Sequence, residues 1–198
     1  LSHQADVALR RAAQLANQHN ARLTLLHVVE TPHSASELSN LRNSAQEILG
    51  RLASFNQCEA VVRLEQGKPN EIILKLLSSE DVDLLVLGAH HNTRPELFTG
   101  TNLDRLARLS TVPVLLAANE DGSPYERGVV AIDFSLCACN AMRHAYQLLP
   151  NSAQLLALNI FGTSSRLAKR DQEDRLEMQR SLIGQLIVDE SSSLPKAG

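Results

Sequence analysis

The run from Asp83 to Ala118, DLLVLGAHHNTRPELFTGTNLDRLARLSTVPVLLAA, constrains this chain more than any other stretch. It opens on an apolar, strand-like segment that stops at Gly88. A polar loop follows and closes on Gly100-Thr101-Asn102. A helix then begins, and after Pro113 the chain returns to a second apolar segment, Val114 to Ala118. A strand that ends in glycine and feeds a helix N-terminus is a natural seat for a phosphate. Backbone N–H groups point outward there, and the helix dipole favours negative charge.

The same alternation runs through the rest of the chain. Asp6 to Asn20 reads as a helix whose apolar face is Val7, Ala8, Ala12, Leu15 and Ala16, with Arg10, Arg11 and Gln14 off that face. Ala21 to Val29 is short and almost continuously apolar, as a buried parallel strand is. A second helix spans Ser36 to Ala53, capped by Ser34 or Ser36, and a strand spans Cys58 to Leu64. Asn70 is placed to cap a helix from Glu71 to about Ser79. The polar stretch Asn119 to Arg127, holding Gly122 and Pro124, is the best boundary, separating a unit over 1–118 from one over 128–198. Beyond it come a strand over Gly128 to Asp133, a helix over Cys137 to Leu149, a strand over Ala153 to Phe161 and a helix from Arg170 to about Asp189. Regular exchange of strand and helix predicts an α/β fold with a parallel sheet covered on both faces.

The pattern also repeats. A shift of 133 residues lays Ala8, Arg10, Ala12, Gln14 and Leu15 on Ala141, Arg143, Ala145, Gln147 and Leu148. The order of elements is the stronger warrant for duplication. The same shift places the position before Leu1 on Asp133, so the first repeat starts just after the strand that the second supplies as GVVAID. The expectation is two incomplete copies: the first lacking its opening strand, the second its C-terminal part.

Composition excludes several classes. Hydrophobic residues make up 43% of the chain and aromatics 3%, with no Trp, so aliphatic side chains build the core. A net charge of -3 leaves no basic footprint for nucleic acid. No apolar run approaches the roughly 20 residues that cross a bilayer, and Leu1 to Arg11 reads as a polar helix rather than a leader. Cys58, Cys137 and Cys139 fit reduced cytosolic thiols better than a disulfide framework, and Cys137-Ala-Cys139 lacks the spacing of a zinc site. Adjacent His90-His91 on a loop rarely converge on one ion. Gly67-Lys68-Pro69 has neither the preceding glycine nor the following Ser/Thr of a P-loop.

The segments LTLLHVVE, DLLVLGAHH…GTN…VPVLLA and VVAIDFS together resemble the universal stress protein family over most of residues 1–163. That resemblance implies a Rossmann-like parallel five-stranded sheet with helices on both faces, here as two tandem repeats. It implies a cytoplasmic stress-response protein that acts by binding, not as an enzyme. Nucleotide-binding relatives carry Gly, two residues, Gly, nine residues, then Gly-Ser/Thr. Gly88 and Gly100-Thr101 fit this pattern, but His91 fills the middle glycine position and the loop is one residue shorter. The implied ATP contacts are Gly88, His91, Gly100, Thr101 and Asn102 on the phosphate side, and Val28 where a strand backbone meets adenine. Asp133 and Ser135 match the family's strand-end Asp and following Ser. Each also has a plain structural role: Gly88 ends a strand, Thr101 caps a helix, Val28 is core, and Asp133 and Ser135 start a helix. Single-copy relatives pair through their last strand, so an internal pseudo-dimer, or a homodimer, is the expected assembly. The alternative class is a weak ATPase or adenylyl-handling enzyme, against which stands the absence of a nucleophile elbow, a zincin motif or paired strand-end carboxylates.

Overall fold

A computed structural model of the chain describes residues 3–30, 34–53, 60–89, 102–160 and 169–193. The chain divides into two compact units, Leu1–Ser123 and Pro124–Gly198. The first holds α1 (His3–His19), β1 (Leu23–Val29), α2 (Ala35–Ala53), β2 (Ala60–Gln66), α3 (Pro69–Ser79), β3 (Leu85–Gly88), α4 (Asn102–Leu109) and β4 (Val114–Ala117). The second holds β5 (Arg127–Ala131), α5 (Leu136–Leu148), β6 (Gln154–Leu158) and α6 (Lys169–Ser193). This is a mixed α/β fold in which every strand pairing among the described residues is parallel.

Local chemistry fixes the element ends. Asn20 closes α1 in the left-handed region at φ 50, while Ala21 N–H donates to the Ala16 carbonyl at 2.8 Å and Asn20 N–H to that of Asn17. That is a Schellman close, and Asn tolerates its conformation better than most residues. Of the two serines considered for α2, Ser34 is the cap. Its hydroxyl accepts from Glu37 N–H at 3.3 Å, and its own N–H donates to Glu37 Oε2 at 2.7 Å, a reciprocal capping box. The Asn70 expectation fails. Pro69 already occupies the first turn of α3, Lys68 is the N-cap, and Asn70 lies inside the helix. Proline pre-sets the helical φ and lacks only an N–H that the first turn leaves unbonded anyway.

A complete five-stranded sheet is not seen among the described residues. The described strands form three separate two-stranded sheets: β1–β2, β3–β4 and β5–β6. Among the described residues no strand joins β1–β2 to β3–β4. Helix α1 packs chiefly on β3 and also touches β1 and β4, so the first unit is held together through a helix instead of a continuous ladder. Two parallel strands alone bury too little to be stable, so each pair depends on the helices packed on it, α1 chief among them for β3.

Its burial shows the consequence. Val7, Arg11 and Leu15 form one buried line at i, i+4, i+8, and Leu9, Ala13 and Ala16 form a second on the other side. A one-faced helix was expected, with Arg11 outside; the structure gives two faces, and Arg11 is 3% exposed. Arg11 can be buried because its guanidinium finds acceptors. Nη1 donates to the Ser123 carbonyl at 2.7 Å and to Gln14 Oε1 at 2.9 Å, and Nη2 donates to the Asp121 carbonyl. Residues 121–123 are therefore tied to α1.

In the second unit, Val130, Ile132, Ala138 and Met142 form a core joined by Leu155, Ala157 and Leu186. Gly128 lets this core close: a Cβ there would lie 3.1 Å from Leu155 Cδ1 and 3.2 Å from Leu149 Cδ1. Strand alternation sends Val129, Leu156 and Leu158 to the opposite side, where Val129 is 66% and Leu156 62% exposed, with Ile160 beyond them at 87%. One face of β5–β6 is therefore covered and the other is apolar and open.

Candidate functional site

The expected contacts fall into separate places. His91, Gly100 and Thr101 lie outside the described residues, as do His90 and the remainder of the glycine loop. Val28, Gly88 and Asn102 lie in the first unit, Asp133 and Ser135 in the second.

Val28 is on β1 in register with Glu65, half-buried, next to the buried Val29 at the strand's end. Gly88 is the last residue of β3, in register with Ala117, and the ladder runs on one bond further through Ala89 N–H to the Ala117 carbonyl at 3.0 Å. Asn102 is the first residue of α4. Gly88 is glycine for a reason that the sequence did not show. A Cβ at this position would lie 2.2 Å from the Gln4 carbonyl oxygen and 2.7 Å from its carbon. The space beside Gly88 is thus taken by the backbone of α1.

Asp133 and Ser135 are brought together. β5 ends at Ala131, and the chain turns through Phe134, which adopts a left-handed conformation at φ 62. Ser135 N–H donates to Asp133 Oδ1 at 3.0 Å, and Ser135 Oγ accepts from Ala138 N–H at 3.2 Å, capping α5. The Ser135 hydroxyl, and then its backbone N–H, hold the Asp133 carboxyl below the usual carboxylate range. Both roles considered for these residues, strand-end acid and helix start, thus meet in one turn. Phe134 is the residue that sequence reasoning missed. A left-handed aromatic is uncommon, and such strain concentrates at functional turns. Phe134 is 41% exposed.

This turn yields a test. Ser135→Ala is expected to cost about 1 kcal/mol at neutral pH through the lost cap, read as a lower urea midpoint. The same change should move the Asp133 carboxyl up toward the ordinary value of about 3.9, followed by NMR titration. The sign follows from the folded state holding the proton less tightly. The contribution of Asp133 is present above the unfolded pKa and is lost as pH falls through the lower folded one. The difference between wild type and variant should therefore be largest above about pH 4 and shrink in acid to what the lost cap alone costs.

No group of three or more His, Cys, Asp or Glu among the described residues is arranged to hold a metal ion. No helix among them is long and apolar enough to cross a membrane.

Comparison with known proteins agrees with this architecture. The model of the universal stress protein family matches residues 1–118. Universal stress protein D of Escherichia coli is 30% identical over 95 residues, an alignment that covers 42% of this chain and 67% of that protein. A Staphylococcus haemolyticus protein named for the same family is 29% identical over 136 residues, covering 61% of this chain and 81% of its own. The solved structure of a universal stress protein from Archaeoglobus fulgidus superposes with a TM-score of 0.66 at 19% identity, over 93% of this chain and 71% of that one; it speaks for the fold alone. Parallel βα units, a strand ending in Gly88 ahead of α4, and a family match over more than half of the residues lead to one conclusion: this chain belongs to the universal stress protein family.

Proposed function

We propose that the chain is a non-catalytic binding and regulatory module of the stress response, built from two tandem copies of one fold and working in the cytoplasm. Its nucleotide site in the first unit is an altered one. The observation that carries this reading is at Gly88. In a site that receives phosphate, the value of glycine is close approach of a ligand to the backbone; here the Gln4 carbonyl makes that approach. His91 in the middle glycine position and the shortened loop point the same way. Asp133 itself is not tuned for acid–base work: its own turn holds its carboxyl below the usual range, whereas such work near neutral pH needs the opposite shift.

A melting experiment with ATP and magnesium tests it. A ligand that binds only the folded state at a hundredfold excess over its Kd adds roughly 2.7 kcal/mol. The expected result is little or no shift of the first unit and no release of phosphate. A large shift that Gly100→Val abolishes would restore ATP as the ligand, and turnover would restore the enzyme reading.

A further inference from the structure

The second unit contains a cavity of about 230 Å³ where α5 and α6 meet the covered face of β5–β6. Val130, Met142, Tyr146, Leu149, Leu155 and Ile187 supply its apolar walls. It lies on the far side of the sheet from Val129 and Leu156, and no residue of the Asp133–Ser135 turn lines it.

We propose that this cavity is a binding site for a small, uncharged, ring-shaped molecule that carries one hydrogen-bonding group. Size sets the first limit. A 150 Å³ apolar cavity takes benzene, so this one has room for a fused bicycle. Charge sets the second. The charged groups on the wall are Arg143 and Glu190, and they neutralise each other. Arg143 donates through Nε to Glu190 Oε2 and through Nη2 to Oε1 at 2.8 Å, while Nη1 donates to Asn140 Oδ1 at 3.0 Å. A charged ligand would enter without a counter-charge to meet it and would lose its hydration. A neutral ring buries apolar area against the walls, and its polar group can meet the hydroxyls of Tyr146 and Ser191, which also line the cavity. The pair also ties α5 to α6, so an occupant that bridges the walls should tighten α6 onto the sheet.

Indole is a suitable probe: it is neutral, bicyclic, and has one N–H donor. The chain has no Trp, so indole fluorescence can be read against it directly. Titration of the full chain should show saturable binding with a Kd on the order of 0.1 mM, as a ligand of this size allows. Hydrogen exchange in α6 should slow on saturation. Ala157→Leu fills the cavity from β6 and should weaken binding at least tenfold with the melting temperature kept; Ala153→Leu serves the same end if the first variant folds poorly. Leu156→Lys, on the open face of the same strand, should leave binding unchanged. Non-saturable binding, equal binding by a folded filled variant, or loss through Leu156→Lys would each overturn the proposal. The last would place the probe on the open face. The nucleotide reading is untouched by any of these outcomes.

Discussion

Gly88→Ala is expected to destabilise the first unit by about 3 kcal/mol, the upper part of the usual range for overpacking. The added carbon would sit 2.2 Å from the Gln4 oxygen and 2.7 Å from its carbon. Both are backbone atoms of α1, so no side-chain rotation relieves the overlap. The helix must shift as a body, and α1 is what both strand pairs of the unit pack on. Gly88 lies in a strand and is not left-handed, so alanine is conformationally acceptable and the effect isolates the contact. Urea unfolding should show a lower midpoint in the first unit, with the second unit unaffected. An unchanged midpoint would mean that α1 does not lie against this strand, and would return Gly88 to the role of phosphate contact. Since whole-protein stabilities run from about 5 to 15 kcal/mol, a loss of this size is easily measured.

Arg11→Met should cost a comparable amount, about 2–3 kcal/mol. Methionine keeps much of the apolar stem but leaves the carbonyls of Asp121 and Ser123 without their guanidinium donor. Hydrogen bonds from a charged donor contribute roughly 1.5–3 kcal/mol each, and the solvent exposure of Asp121 and Ser123 offsets part of the loss. Arg11→Lys is the informative companion. It restores the charge but not the fork that reaches two carbonyls at once, so it should recover less than half. Equal stability of the lysine variant and wild type would show that charge alone matters. In both variants, proteolysis near residues 121–123 should speed up, because the tie to α1 has gone.

Much of the architecture was legible in the sequence because it rests on local rules. Aliphatic runs bounded by Gly, Pro and Asn gave the strands to within a few residues, and the Ser34–Glu37 spacing held a capping box. Legibility failed where a distant partner decides. The periodicity of the helix reads Arg11 as off the apolar face; only the carbonyls of residues 121 and 123, over a hundred positions away, let it lie buried between Val7 and Leu15. Asn70 looked like a cap until Pro69 is seen to start the helix first. The number of strands per sheet depends on which edges meet, which periodicity does not encode. In the site, Asp133 and Ser135 could be paired from their spacing and the helix that follows. The left-handed turn at Phe134 could not, since an aromatic carries no signal for it.

The open side of β5–β6 has a practical consequence for anyone handling the protein. Leu156, Val129 and Ile160 give it a greasy panel on a molecule of small net charge. Sulfate and similar salts strengthen the burial of such surface, and little electrostatic repulsion holds the particles apart. Colloidal behaviour should therefore depend on this panel as well as on the average surface. A single lysine in place of Leu156 is the most economical way to extend the protein's working concentration range.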